Sequence, residues 1–280
     1  MKINFTKMQG LGNDFVILDY DEFLKIGKTP SDLALKLCDR KFSIGADGLI
    51  IVNPNAKDTD IEWIFYNSDG TMAQMCGNGM RCFAKYVTDK NIINKKQFSV
   101  KTEAGIICPE ILDNGEIKVN MNLPVLEPSK IPFCEEKTLD YKLNIKDKVF
   151  SINTVSMGNP HCIIFTDEDT MTLAKNYGAY IETHELFPEK TNVEFVNIKS
   201  KHEVTLSVWE RGCGITLACG TGACATTVAG VLRGFLDNNV KVNLPGGSLN
   251  IEWAGSLSNT NYPVFMTGKA EYSFTGTVEV

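Results

Sequence analysis

The chain is poor in what nucleic acid, a membrane or a disulfide framework would demand. Its 28 Lys and Arg against 34 Asp and Glu leave a net charge of −6, with no basic stripe and no run of like charge. Duplex nucleic acid is held by clustered cations, so no nucleic-acid partner is expected. No apolar run approaches the roughly 18 residues of a membrane span. The opening MKINFTKMQGLGNDF has no apolar stretch followed by a cleavage site. The expectation is a cytoplasmic protein with no membrane partner. Histidine is scarce, at three residues, and no Cys-x-x-Cys occurs, which argues against thioredoxin-type chemistry. Zinc sites favour Cys pairs two to four residues apart. The close cysteine spacings here are 76/82, 213/219 and 219/224, so no metal is expected.

What is present is globular composition, 43% hydrophobic and 22% charged over 280 residues, enough for one large domain or two ordinary ones. Nine cysteines is a high and odd count. Without a secretion signal they read mostly as small buried hydrophobes. Met8, Met72, Met75 and Met80 read as core in the same way.

Short strands dominate the pattern. DFVILDY, DGLIIV, DIEWIFYN, QFSVKTEAGIICPEIL, EIKVNMNLP, FSINTVSMG, HCIIFTD, NVEFVNIKS and EVTLSVWER are apolar or alternating. Asp113-Asn114-Gly115 and Pro245-Gly246-Gly247 are turn signals. Helices are expected over PSDLALKLCDR, capped by Ser31 or Asp32, over MTLAKNYGAYIETH, and after two cysteines at 76 and 219. The stretch LPVLEPSKIPFCEEKTLD carries three prolines and reads as a connection between domains.

Cys-Gly-x-Gly opens a helix twice, at Cys76-Gly77-Asn78-Gly79 and Cys219-Gly220-Thr221-Gly222. The two cysteines lie 143 residues apart, about half the chain. Gly12-Asn13 and Gly158-Asn159 each precede a strand, and 65 residues separate Gly12 from Gly77 where 62 separate Gly158 from Gly220. The simplest reading is two similar α/β lobes whose equivalent helix starts face one cleft. A helix start carries unpaired N–H groups and partial positive charge, binds a carboxylate, and favours a thiolate. Two such ends suggest that one sulfur removes a proton from a carbon while the other returns one from the opposite face, inverting a stereocentre without a cofactor. No Lys-Ser/Thr follows either glycine turn and no lysine sits beside one, which leaves P-loop and pyridoxal chemistry without their key residues. His161 offers a Cys–His pair for thiol proteolysis, but that reading gives the second Cys-Gly-x-Gly no purpose.

FYNSDGTMAQMCGNGMRC at 65–82 and WERGCGITLACGTGACA at 209–225 resemble the two active-site motifs of the diaminopimelate epimerases. KMQGLGNDFVILD, RKFSIGADGLI, SMGNPHCIIF and TNVEFV are similar to further family segments in the same order, while the final 50 residues add little. The resemblance implies an α/β (α+β) fold of two pseudo-symmetric lobes, each a curled, mostly antiparallel sheet around a central helix, with the active site in the cleft. The lobes are expected at 1–122, completed by a strand at 268–280, and at 123–267. It also implies epimerisation of L,L-diaminopimelate to the meso form, toward lysine and peptidoglycan, with no cofactor, in a homodimer. Carried over by position, Cys76 and Cys219 are the acid–base pair and His161 and Glu210 tune them. Asn13, Asn67, Asn159, Asn192, Glu210 and Arg211 contact substrate, and Gly77-Asn78 and Gly220-Thr221 supply backbone donors to the reacting carboxylate. Cys82, Cys213 and Cys224 are left as packing residues.

The chain departs from the family pattern at Ser43, where glycine is frequent, and at Gly48, where some members carry glutamine. A proline- or histidine-type racemase of the same fold is the enzymatic alternative, but the proline type usually has His between the glycines of the first motif. A protein that binds an amino acid without turning it over is the alternative of another class.

Overall fold

The structure is a computed structural model describing residues 1–280. The first part of the chain forms β1 (Lys2–Gly10), β2 (Asn13–Asp19), α1 (Tyr20–Leu24), α2 (Pro30–Leu37), β3 (Gly48–Asn53), β4 (Ile61–Asn67) and α3 (Gly77–Asp89). The short strands β5 (Val100–Thr102), β6 (Gly105–Ile107), β7 (Glu110–Ile111) and β8 (Ile117–Asn120) follow. Next come β9 (Tyr141–Ile145), β10 (Lys148–Ser156), β11 (Pro160–Phe165), α4 (Thr170–Glu182), β12 (Asn192–Ser200), β13 (Glu203–Glu210), β14 (Gly214–Ile215) and α5 (Gly220–Leu232). The chain closes with β15 (Asn239–Leu244), β16 (Gly247–Trp253), β17 (Val264–Gly268) and β18 (Glu271–Glu279). No helix is long and apolar enough to cross a membrane.

The chain divides into two compact units, Met1–Val119 with Gly268–Val280, and Asn120–Thr267. In the first, the strands run in the order β18-β1-β2-β3-β4-β5-β6. Both faces of its middle strands are covered. Val16, Leu18, Leu49 and Ile51 pack with Leu33, Ala34 and Leu37 of α2. On the opposite face, Phe15 and Trp63 lie against Gly79 of α3, and Trp63 meets the Phe83 ring. Two-sided burial explains why these strands read as unbroken apolar runs.

In the second unit the order is β17-β16-β15-β13-β12-β11-β10-β9, with β14 on β13. Cys162, Ile164, Val193 and Phe195 face α4, joining Leu173, Tyr177 and Ile181. The alternate residues His161 and Glu194 lie on the α5 side, where Glu194 reaches Gly222. Helix α5 touches β10, β11, β12 and also β16, strands well separated in the sheet order, so the sheet curls around it. Its run of small side chains lets the strands come close on all sides.

The two units repeat one pairing sequence. From β18–β1 to β5–β6 the pairs are antiparallel, antiparallel, parallel, antiparallel, parallel, antiparallel, and the same six terms run from β9–β10 to β15–β16. Each unit is thus a mixed, mostly antiparallel sheet, and α3 and α5 follow equivalent strands, β4 and β13.

Several local expectations change. The α2 cap is Thr29, whose hydroxyl accepts from Asp32 N–H, rather than Ser31 or Asp32. Pro30 at the first helical position sets that start, and Ser31 instead bonds Gly70 O. Tyr20 leaves its strand to begin α1. The proline-rich connection is no free linker, since Ile131 and Phe133 are buried in the second unit's core. Met72 is 51% exposed just beyond β4, whereas Met8 and Met80 are buried. Cys213 is exposed while Cys82 and Cys224 are buried.

Candidate functional site

Cys76 is the N-cap of α3 and Cys219 the N-cap of α5. Each therefore sits where first-turn amides lack intrahelical partners and the helix end is electropositive. The two settings are built differently and are described in turn.

Around Cys76, the thiol donates to Asn13 Oδ1 at 3.5 Å, and the same oxygen accepts from Asn78 Nδ2 at 3.3 Å. Asn13 is held by its own amide, which donates to Asp47 Oδ2 at 2.6 Å. Asp47 and Asp14 are clamped by Arg40, and Lys7 also pairs with Asp14. Burial works against the Asp14 carboxylate, but hydrogen bonds from Arg40 and Lys7 outweigh it and hold it down at about 2. Asn78 Oδ1 accepts from Arg81 Nη2 at 2.9 Å. Arg81 is fully buried; it also donates to Gly77 O at 3.3 Å and to Lys269 O at 3.1 Å. One guanidinium thus ties the first turn of α3 to the segment before β18. Asn67 ends β4, where its amide donates to Thr71 Oγ1 at 3.0 Å.

Around Cys219, the sulfur accepts from Gly222 N–H at 3.3 Å and lies 3.5 Å from Thr221 Oγ1. Thr221 Oγ1 accepts from Asn159 Nδ2 at 3.3 Å, and Asn159 Oδ1 lies 3.0 Å from His161 Nε2. His161 Nδ1 meets Glu194 Oε1 at 2.7 Å, and both side chains are completely buried. A Cβ on Gly222 would come within 2.6 Å of that same oxygen, so the glycine makes room for Glu194. Burial first, then the carboxylates of Glu210 and Glu194, push the Cys219 thiol well above its usual range. Burial also raises Glu210, against a hydrogen bond from Thr216. The buried thiols of Cys38 and Cys82 are pushed up to about 12, by burial above all.

Asn192 is almost fully buried; its Nδ2 donates to Pro160 O at 2.9 Å and its Oδ1 accepts from Arg211 N at 2.9 Å. It therefore fixes the backbone that carries Arg211. The Arg211 side chain is exposed and donates to Glu189 O at 3.1 Å, leaving guanidinium N–H groups for a ligand. The expected residues thus form two groups: Asn13, Asn67, Cys76, Gly77 and Asn78 in one unit, and Asn159, His161, Asn192, Glu210, Arg211, Cys219, Gly220 and Thr221 in the other.

Asp47, Arg81 and Glu194 went unassigned in the sequence. The signal for Glu194 was an acid within the apolar strand run NVEFV, since a carboxylate there is rarely buried without a partner. As for metals, His161, Glu194 and Cys219 place donor atoms within 4.8 Å of one another. They are ligand types that zinc takes, but His161 Nδ1 and Glu194 Oε1 already engage each other.

Gly48 has a local cause. A Cβ there would stand 2.5 Å from the Phe65 ring and 2.9 Å from Tyr66 O, so the ring occupies the space a glutamine stem needs. Gly48→Gln is expected to cost roughly 1–3 kcal/mol by overpacking, read from urea midpoints, and the paired change Gly48→Gln with Phe65→Ala should recover part of that loss.

A family model described as diaminopimelate epimerase matches residues 5–127 and 153–273. The diaminopimelate epimerase of Carboxydothermus hydrogenoformans is 49% identical, with 98% of each chain covered. That of Halothermothrix orenii is 48% identical, covering 100% of this chain and 99% of its own. The similarity extends through the final 50 residues. Among solved structures, a Bacillus anthracis phenazine biosynthesis protein of the PhzF family aligns over 100% of both chains with a TM-score of 0.73 at 14% identity. A hydroxyproline epimerase from Agrobacterium vitis aligns over 99% of this chain and 92% of its own, with a TM-score of 0.67 at 12% identity. At such identities these two show a shared fold.

Proposed function

The chain belongs to the diaminopimelate epimerase family, and from that premise we propose that it is an isomerase interconverting L,L- and meso-diaminopimelate, with Cys76 and Cys219 as the acid–base pair at one Cα. The observation that carries the reading is a full-length match at 49% identity combined with two cysteines that each cap a helix start.

The chemistry follows from those positions. An amino-acid Cα–H is a very weak acid, so charge moving onto the carboxylate as the bond breaks must be met by fixed donors. The first-turn amides at Gly77-Asn78 and Gly220-Thr221 are such donors. Burial and two carboxylates favour the protonated form of Cys219, and the proposal gives it the donor's part in the L,L-to-meso direction. Cys76, as the thiolate, removes the Cα proton. As Cys219 gives up its own, the new thiolate is met by Gly222 N–H and the Thr221 hydroxyl. Both proton carriers belong to the chain, so the proposed reaction draws on no cofactor.

The far end of the substrate carries a second carboxylate and ammonium. Arg211 offers the carboxylate a guanidinium, and Glu210, Asn67, Asn159 and Asn192 are the proposed polar partners of that end. The same reading carries a cytoplasmic homodimer, supported by the family resemblance; light scattering should give twice the chain mass.

A substrate panel tests the proposal. L,L-diaminopimelate should be epimerised while L-proline and L-histidine are left unchanged. Racemised proline beside inert diaminopimelate would overturn it.

A further inference from the structure

We propose that Glu194 is a positioning residue for the step at Cys219: it holds His161 as an imidazolium, and that imidazolium sets and polarises a hydrogen-bonded chain ending on the sulfur. The proposal rests on the epimerase reading for its kinetic consequence and on geometry alone for its charge state.

The geometry is specific. Both ring nitrogens of His161 face oxygens, Glu194 Oε1 at 2.7 Å and Asn159 Oδ1 at 3.0 Å. Asn159 turns its Nδ2 toward Thr221 Oγ1 at 3.3 Å and its Oδ1 toward the histidine. In that orientation both ring nitrogens face acceptors, and two acceptors around one ring call for two ring protons. Glu194 and His161 are each completely buried, and Glu194 Oε2 has no hydrogen-bond partner. A buried carboxylate is costly unless a cation answers it, and His161 is the cationic group in contact. Glu210 from β13 and Cys219 from the start of α5 are the other titratable groups facing this pair, while Cys162, next to His161 on β11, packs into the α4-side core.

The consequence runs outward. A charge-assisted bond from Nε2–H is roughly twice as strong as a neutral one, and hydrogen bonds in series polarise one another. The imidazolium therefore strengthens the Asn159 amide as donor to Thr221, and so the Thr221 hydroxyl as donor to the Cys219 thiolate that forms during turnover. Gly222 is part of the arrangement, because any side chain there would strike Glu194 Oε1. Glu194 touches neither sulfur nor substrate in this scheme; it acts through His161.

The test has a spectroscopic and a kinetic arm. With 15N-labelled histidine there are three imidazoles to observe, and His184→Gln and His202→Gln assign the other two. In the wild-type protein at neutral pH, His161 should show protons on both nitrogens; a single ring proton overturns the proposal, and this reading survives even if a variant fails to fold. In Glu194→Gln, His161 should become neutral and kcat should fall about tenfold, with KM within about threefold. Thr221→Val should lower kcat similarly without changing the His161 signals. The double variant should be little slower than Thr221→Val alone, because both changes break one chain. Unchanged kcat in Glu194→Gln, or fully multiplicative losses in the double variant, contradict the inference. A wild-type protein inactive on diaminopimelate sinks the epimerase reading instead, and leaves the nitrogen spectra to decide the charge state.

Discussion

Cys76→Ala and Cys219→Ala should each lose about 10³-fold or more in epimerisation, with folding retained. On the proposed chemistry each removes a proton carrier from one face of the carbon, and nothing nearby replaces it. Beside Cys76, Asn13 and Asn78 are amides and Asp47 is already occupied by Asn13 and Arg40. Beside Cys219, Glu210 is engaged by Thr216 and Glu194 by His161. The two variants should differ in a partial reaction. With L,L-diaminopimelate in heavy water, Cys219→Ala keeps the Cys76 thiolate proposed to remove the proton, so slow exchange without inversion is expected. Cys76→Ala should show neither. Chiral chromatography with mass spectrometry reads both, and robust turnover in both variants would remove the assignment.

The second large effect falls on stability. Arg81 is fully buried and donates to Lys269 O, Gly77 O and Asn78 Oδ1. Arg81→Met keeps much of the volume but leaves those three acceptors without that donor. Each buried unsatisfied group costs roughly 1–3 kcal/mol, and because neighbouring losses do not add the total is expected at about 3–5 kcal/mol. Urea denaturation should show a lower midpoint with an unchanged slope. Activity of the remaining folded protein should fall as well, since Arg81 steadies the turn that carries Gly77 and Asn78. A midpoint shift below about 1 kcal/mol would mean that water or other donors take over.

Much of this was legible in the sequence because it depends on local pattern. Apolar alternation marked β2, β3, β4, β11, β12 and β13, and Cys-Gly-x-Gly marked the starts of α3 and α5. The resemblance named the candidate site residues by position. What escaped depended on which face a residue takes and what it meets there. Glu194 reads as one acid in a strand until the sheet sets it beside His161. Arg81 reads as an ordinary helix cation until its guanidinium is found buried on carbonyl oxygens. Asn192 also braces the backbone, with one hydrogen bond at each end of its amide, to Pro160 O and from Arg211 N. Gly48 is a bare departure from a pattern until the Phe65 ring shows what fills its side. Caps shift for a smaller reason: Pro30 moves the start of α2 back onto Thr29.

The most direct measurement of the central claim follows deuterium during the first turnovers of L,L-diaminopimelate by wild-type protein in heavy water. If two sulfurs serve opposite faces of one carbon, meso product should carry solvent deuterium at the inverted centre while the remaining L,L substrate stays protiated there. Deuterium entering unreacted L,L substrate as fast as it enters product would instead mark a single base exchanging on one face, and would contradict the pairing of Cys76 with Cys219.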